Sequence, residues 1–167
     1  MIILIGAGGS GKDYFANFLK QNYTKASDYT TRPKRSSETD EYIWCSEIPY
    51  EDCYSVFKVN GRDWEYGYSK TEILKSDFCI LPPSVINDAL IFLNTKGITP
   101  TVVWFNIDET VRKERLLKRN DGDVERRLKT DKQDFQNIEK YVDIIITEPF
   151  FNPTEILEKI YKYEQNY

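Results

Sequence analysis

Gly6-Ala7-Gly8-Gly9-Ser10-Gly11-Lys12 stands between an apolar run, Ile2 to Ile5, and a segment whose Phe15, Phe18 and Leu19 recur at helical spacing. No other stretch of the chain restricts its fold as much. The pattern G-x-x-x-x-G-K between a buried strand and an amphipathic helix predicts a turn in which glycines, lacking Cβ, let successive N–H groups face one point. The start of the following helix adds partial positive charge there, and Lys12 adds a full one. Gly6, Gly8, Gly9, Ser10, Gly11 and Lys12 are therefore expected to cradle phosphate oxygens. Where this pattern usually has Ser or Thr, whose hydroxyl meets magnesium, the chain has Asp13, a hard oxygen donor able to hold the ion itself.

A strand, a turn and a helix in that order commit the chain to a crossover, and the later sequence keeps alternating in the same way. Phe78 to Leu81 is a second apolar run, stopped by Pro82-Pro83, and Ser84 is expected to cap a helix carrying Ile86, Ala89, Leu90 and Leu93, ended by Gly97. Residues 101–107 read as a third strand, after which Asp108 caps a charged helix. Val124, Leu128, Phe135 and Ile138 predict one stripe along the next helix. Residues 142–147 form a fourth strand, and Asn152-Pro153 opens a terminal helix with Ile156, Leu157, Ile160 and Tyr161. The sequence thus predicts an α/β domain with a parallel sheet flanked by helices. Residues 30–70 differ in texture, with short aromatic runs and an Asn60-Gly61 pair, and read as a small β-rich insertion with a hairpin turn.

Composition removes most other chemistries. The chain has no histidine, which excludes Ser-His-Asp and Cys-His nucleophile systems and every histidine-bearing zinc site. Its three cysteines, Cys45, Cys53 and Cys79, lack C-x-x-C spacing and read as reduced thiols of a cytoplasmic protein. The opening apolar run is too short to span a membrane and has no signal-peptide pattern. A net charge of −4 shows no overall bias toward nucleic acid. The cations are instead concentrated. Arg32, Lys34 and Arg35 fall within four residues, near Tyr42 and the run Glu65-Tyr66-Gly67-Tyr68-Ser69-Lys70, and eight more lie between Arg112 and Lys129.

These motifs together resemble the guanylate kinase family of P-loop nucleoside monophosphate kinases over nearly the whole chain. The resemblance is carried by the glycine motif near the start, Thr30-Thr31-Arg32 with Arg35 three residues on, the Asp40-Glu41-Tyr42-Ile43-Trp44 stretch and Tyr66-Gly67-Tyr68-Ser69. Arg115-Leu116-Leu117-Lys118-Arg119 and Val124-Glu125-Arg126-Arg127-Leu128 are similar to that family's lid segments. It implies a P-loop NTPase-type core over residues 1–29, 71–111 and 129–167, a nucleotide-monophosphate-binding subdomain over 30–70 and a helical lid over 112–128. It also implies transfer of the γ-phosphoryl group of ATP, with magnesium, to a nucleoside 5′-monophosphate, by a monomer or homodimer with no membrane or nucleic-acid partner. Arg32, Arg35, Tyr42 and Tyr66 match residues that grip the acceptor phosphate, Asp28, Ser69 and Ser84 fall on the acceptor side, and Arg119 and Arg127 lie beside the transferred group.

The base-reading positions depart from the family. Its serine before the Thr-Thr-Arg motif is Asp28 here, its guanine-reading glutamate falls near Phe57 or Ser55, and its Asp-x-Asp is Pro82-Pro83-Ser84. The acceptor expected is therefore GMP, dGMP or an atypical deoxynucleotide, with Asp13 compensating for the lost acid. Some relatives have abandoned transfer and bind peptides. Retention of the glycines, Lys12 and the lid cations favours the enzyme over such a module.

Overall fold

The computed structural model describes residues 1–34, 42–58, 63–119 and 122–166. Arg35 and the Asn60-Gly61 pair lie outside them. Strand β1 (Ile2–Gly6) is the centre of a four-stranded, all-parallel sheet, with β6 (Phe78–Ile80) on one side and β7 (Thr101–Phe105) then β8 (Ile144–Ile146) on the other. The register pairs Ile2 with Phe78 and Thr101, and Leu4 with Ile80 and Val103. These strands are largely apolar on both faces because helices cover both, except at the edge strand β8, where Ile145 is exposed.

The pleat sends alternate residues to opposite sides. Leu4, Val103 and Phe105 pack with Phe15 and Leu19 of α1 (Lys12–Leu19) and Ile156 and Ile160 of α6 (Pro153–Glu164). Ile3, Ile5, Val102 and Trp104 pack with Ile86, Ala89 and Leu93 of α3 (Pro83–Thr95). The expected parallel sheet flanked by helices is met, in the layout of a P-loop NTPase-type core.

A second four-stranded sheet lies between α1 and β6 in the chain. Its order is β3 (Tyr42–Trp44), β2 (Asp28–Thr30), β5 (Glu65–Ser69) and β4 (Cys53–Lys58). β2 and β3 run parallel, and β5 is antiparallel to both its neighbours. This sheet rests on α3 through Tyr54, whose ring stacks on Phe92 with centroids 5.5 Å apart, and through Ser55 Oγ, which donates to Asp88 at 2.8 Å. The short α2 (Lys70–Lys75) leads back to the first sheet.

Several local expectations hold in detail. Asp108 caps α4 (Glu109–Lys118) by accepting from the Thr110 amide at 2.8 Å, and Asn152 caps α6 from the Thr154 amide at 3.0 Å. Gly97 stands just past α3 with φ of +70°. Two expectations are corrected. Helix α3 is entered by Pro82 in extended conformation with Pro83 as its first residue, so the preset φ of proline replaces a Ser84 cap. Helix α5 (Val124–Asp134) stops before Phe135 and Ile138, because Asn137 turns left-handed at φ of 60° and a 3-10 turn over Ile138–Tyr141 follows. Both residues still reach the core, Phe135 by stacking on Trp104 at 6.0 Å.

Candidate active site

The glycine turn connects the carboxyl end of β1 to α1, where open parallel sheets place their ligands. Gly9 and Gly11 have φ of +77° and +91°, a region L-residues with side chains rarely enter. A Cβ on Gly9 would stand 2.9 Å from the Arg112 carbonyl oxygen, so α4 passes against bare backbone. Two arginines of α4 hold the turn from outside. Arg112, 7% exposed, donates to the Gly8 carbonyl at 3.3 Å, the Ile107 carbonyl at 3.2 Å and Asp131 at 2.8 Å. Arg115 donates to the Gly9 carbonyl at 3.0 Å and to the Pro149 carbonyl. The N–H of a trans peptide points opposite its carbonyl, so the Gly9 amide faces away from α4. The buried Ser10 hydroxyl has no hydrogen-bond partner.

On one side of this turn a cavity of about 610 Å³ opens toward the second sheet. Its wall carries Lys12, Lys20, Lys25, Arg32, Arg119 and Arg127 against two carboxylates, Asp13 and Asp28. A chain of net negative charge thus gathers six cations around one space, which suits phosphate groups. Arg32 is 5% exposed and held in place, donating from Nε to the Tyr66 hydroxyl at 3.0 Å and from Nη1 to the Pro33 carbonyl at 3.0 Å, with its guanidinium 5.6 Å from the Tyr42 ring centre. Tyr42 and Tyr66 come from neighbouring parts of the sheet, with ring centroids 5.7 Å apart. Asp28, the first residue of β2, is 8% exposed, and burial pushes its carboxyl up to about 7 against the opposing pull of Lys25.

On the other side of the turn a cavity of about 680 Å³ is lined by Gly9, Gly11, Tyr14, Arg115 and the segment from Pro149 to Asn152. Phe150 is 89% exposed there, and the Arg115 guanidinium lies 5.6 Å from its ring centre. Asp13 and Arg119 border both cavities. Asp13 has a 66% exposed side chain, 3.6 Å from Lys12 Nζ. Its exposure and hard oxygen atoms suit a magnesium ion that keeps several waters, and the Gly9 backbone left bare beside it suits closely approaching phosphate.

Of the residues expected at the site, Lys12, Asp13, Asp28, Arg32, Tyr42, Tyr66, Arg119 and Arg127 share the cationic cavity. Ser69 and Ser84 do not line it. The Ser69 hydroxyl donates to Asp52 at 2.6 Å and accepts from the Glu72 amide at 3.0 Å, so it caps α2. Ser84 is exposed in the first turn of α3.

Asp131 and Asp134 escaped the sequence reading. α5 brings both to a third cavity, of about 350 Å³, beside Gly6, Gly8 and Pro82-Pro83, and burial together with Asp131 raises the Asp134 carboxyl. Arg112 and Arg115 were visible only as members of a charged helix, for nothing local marks a contact with the turn about a hundred residues earlier.

No protein-family model and no curated protein matches the sequence. Solved structures do. The crystal structure of guanylate kinase from Anaplasma phagocytophilum superposes with a TM-score of 0.60 at 18% identity, covering 99% of this chain and 85% of that one. An uncharacterised protein from Eubacterium ventriosum superposes with a TM-score of 0.51 at 17% identity, covering 100% of this chain and 99% of that one. The likeness is one of fold, so the chain has a nucleotide-kinase-like fold of the guanylate kinase kind. Among the described residues no helix is long and apolar enough to cross a membrane.

Proposed function

We propose that the protein is an ATP-dependent nucleoside monophosphate kinase, using the glycine turn as its phosphate loop, residues 30–70 as acceptor domain and residues 112–128 as lid. The observation that carries this reading is the shared wall. Two cavities of nucleotide size meet at Asp13 and Arg119, so two phosphorylated ligands would face each other there tail to tail. The aromatic cavity beside Phe150 takes the donor, and the cationic cavity takes the acceptor.

In the proposed reaction an oxygen of the acceptor 5′-phosphate forms a bond to the γ-phosphorus of ATP. The bond from that phosphorus to the bridging oxygen breaks, and ADP leaves with the electron pair. Lys12 and the turn amides hold the donor phosphates. Arg32 and Tyr66, already bonded to each other, hold the acceptor phosphate, with Arg35 expected to join them. Arg119 and Arg127 offset charge on the transferred group. Asp13 would hold a magnesium ion, which would supply positive charge against the donor phosphates. Such chemistry depends on position and charge rather than on a protein base, so a chain without histidine is equipped for it. The free thiols of Cys45, Cys53 and Cys79 fit a cytoplasmic setting.

The test is ADP release measured with ATP, magnesium and each common ribo- and deoxynucleoside 5′-monophosphate. Turnover dependent on one monophosphate and lost in Lys12→Ala and Arg119→Ala supports the proposal. ADP release with none of them defeats it.

A further inference from the structure

The phosphate turn and α5 meet at one atom. Arg112 Nη1 donates to the Gly8 carbonyl at 3.3 Å and to Asp131 Oδ2 at 2.8 Å, while Nε of the same group donates to the Ile107 carbonyl at 3.2 Å. A guanidinium is planar and rigid, so a shift of either partner at Nη1 is passed to the other. The pair is largely shielded from water. A second ion pair between α4 and α5, Lys113 with Glu125, is exposed, where such pairs hold little.

The apolar attachment of α5 is small. Val124 and Leu128 form a cluster with Leu116, separate from the two larger ones that hold the parallel sheet. Past the end of the helix Phe135 stacks on Trp104, which fixes where α5 leaves the frame. Apolar contacts have no direction, whereas the bond from Arg112 to Asp131 does. Asp131 lies four residues before Phe135, about 6 Å up the axis, and so fixes the heading of the helix. One further turn up, on the same face, stands Arg127 of the cationic cavity.

We propose that Asp131 is a positioning residue: through Arg112 it holds Arg127 in register with the phosphate turn, so that the cation of one element and the amides of the other address one phosphoryl group. The proposal rests on the kinase reading for the task of Arg127. The same bonds orient the turn, because the Gly8 carbonyl and the Gly9 N–H share a trans peptide and point opposite ways. Asp131 also borders the cavity of about 350 Å³ beside Gly8, so a direct role as a metal ligand is the alternative to be separated.

ADP release is measured for wild type, Asp131→Ala, Asp131→Asn, Arg127→Ala and the double variant Asp131→Ala/Arg127→Ala, with the monophosphate that supports turnover. Asp131→Ala is expected to lower kcat about tenfold, with KM for both nucleotides and the half-saturating magnesium concentration changed less than about threefold. Asp131→Asn, whose amide oxygen still accepts from Arg112, keeps kcat within about threefold of wild type. With Arg127 gone nothing is left to position, so adding Asp131→Ala to Arg127→Ala costs less than about threefold more. Additive losses, a loss in Asp131→Asn as large as in Asp131→Ala, or a raised magnesium requirement overturns the proposal and leaves the kinase reading standing.

A second measurement needs no turnover. The Ser10 amide donates to the Ala7 carbonyl at 3.2 Å within the turn, so its hydrogen exchange, followed by NMR in the nucleotide-free protein, reports how firmly the turn is held. Asp131→Ala is expected to speed exchange about tenfold both there and along α5, with Asp131→Asn close to wild type. Faster exchange in α5 alone, or in neither, overturns the proposal. If no monophosphate supports turnover the kinase reading fails, and this exchange still decides whether Asp131 registers α5 to the turn. Thermal melting confirms that each variant is folded; if Asp131→Ala is not, Asp131→Leu, equally unable to accept a hydrogen bond, takes its place.

Discussion

The two sheets of this protein are held together by different forces. In the parallel sheet Ile3, Leu4, Ile5, Val103 and Phe105 are fully buried, and apolar area supplies the stabilisation. In the second sheet Asp28, Thr30 and Ser69 are buried beside Tyr68 and Cys53, Arg32 is buried just past β2, and hydrogen bonds join the elements. Asp52 is the clearest knot. It accepts from Tyr29 at 3.0 Å, from Ser69 at 2.6 Å, and from the Thr71 hydroxyl and amide at 2.5 and 3.1 Å. The difference teaches that one sheet is a frame insensitive to pH, while the other carries polar groups at some expense of stability because they shape a ligand site.

The largest expected effect comes from breaking the frame. Phe105→Ala removes a ring packed against Phe15 and Phe151 and should cost about 3–5 kcal/mol in urea unfolding, independent of pH. The second sheet should respond to pH, and its two aspartates with opposite sign.

Asp28 has a carboxyl raised from 3.8 to about 7, so its folded form binds more protons than its unfolded form between those values, and stability falls as pH rises through that window. Asp28→Asn, which cannot ionise, should therefore stabilise the protein at pH 8 by about 2 kcal/mol and have little effect at pH 3. For Asp52, desolvation raises the carboxyl but the bonds from Ser69, Thr71 and Tyr29 outweigh it and leave it below 3.8. Its contribution is full above that value and is lost as pH falls through the lowered one. Asp52→Ala should cost about 1–3 kcal/mol at pH 7 and less in strong acid, read as the difference in denaturant midpoint.

A smaller effect sharpens the contrast on the functional side. Arg32→Lys forfeits the forked bonds to Tyr66 and Pro33, and should raise KM for the acceptor about tenfold while leaving that for ATP unchanged. Smallest of all, Arg126→Ala breaks an exposed pair with Asp123 and should leave stability within about 0.5 kcal/mol by thermal melting.

The frame was legible in the sequence because its signals are local. Apolar runs mark β1 and β7, and the caps Asp108 and Asn152 work through neighbours two residues away. The stripe through Phe135 and Ile138 misled because a 3-10 turn can keep the same side chains on the core that a continued helix would. At the site, Lys12, Asp13, Asp28, Arg32, Tyr42, Tyr66, Arg119 and Arg127, recognised by type and spacing, line one cavity, and Ser84 does not. Ser69 does not either, since a serine next to a helix start can cap it or face a ligand, and only the fold decides which. Long-range contacts such as Arg112 with Gly8, or the arrival of Asp131 and Asp134 beside the glycine turn, leave no pattern along the chain at all.

The grip of α4 on the glycine turn fixes more than the turn. Arg119 follows Arg115 by one helical turn, about 6 Å of rise on the same face, so the anchor that clasps Gly9 also sets the reach and heading of the cation bordering both cavities. A one-residue insertion between them would swing Arg119 through about 100°. The length of that stretch works as a gauge matching one ligand chamber to the other, and is expected to tolerate changes of side chain far better than changes of number.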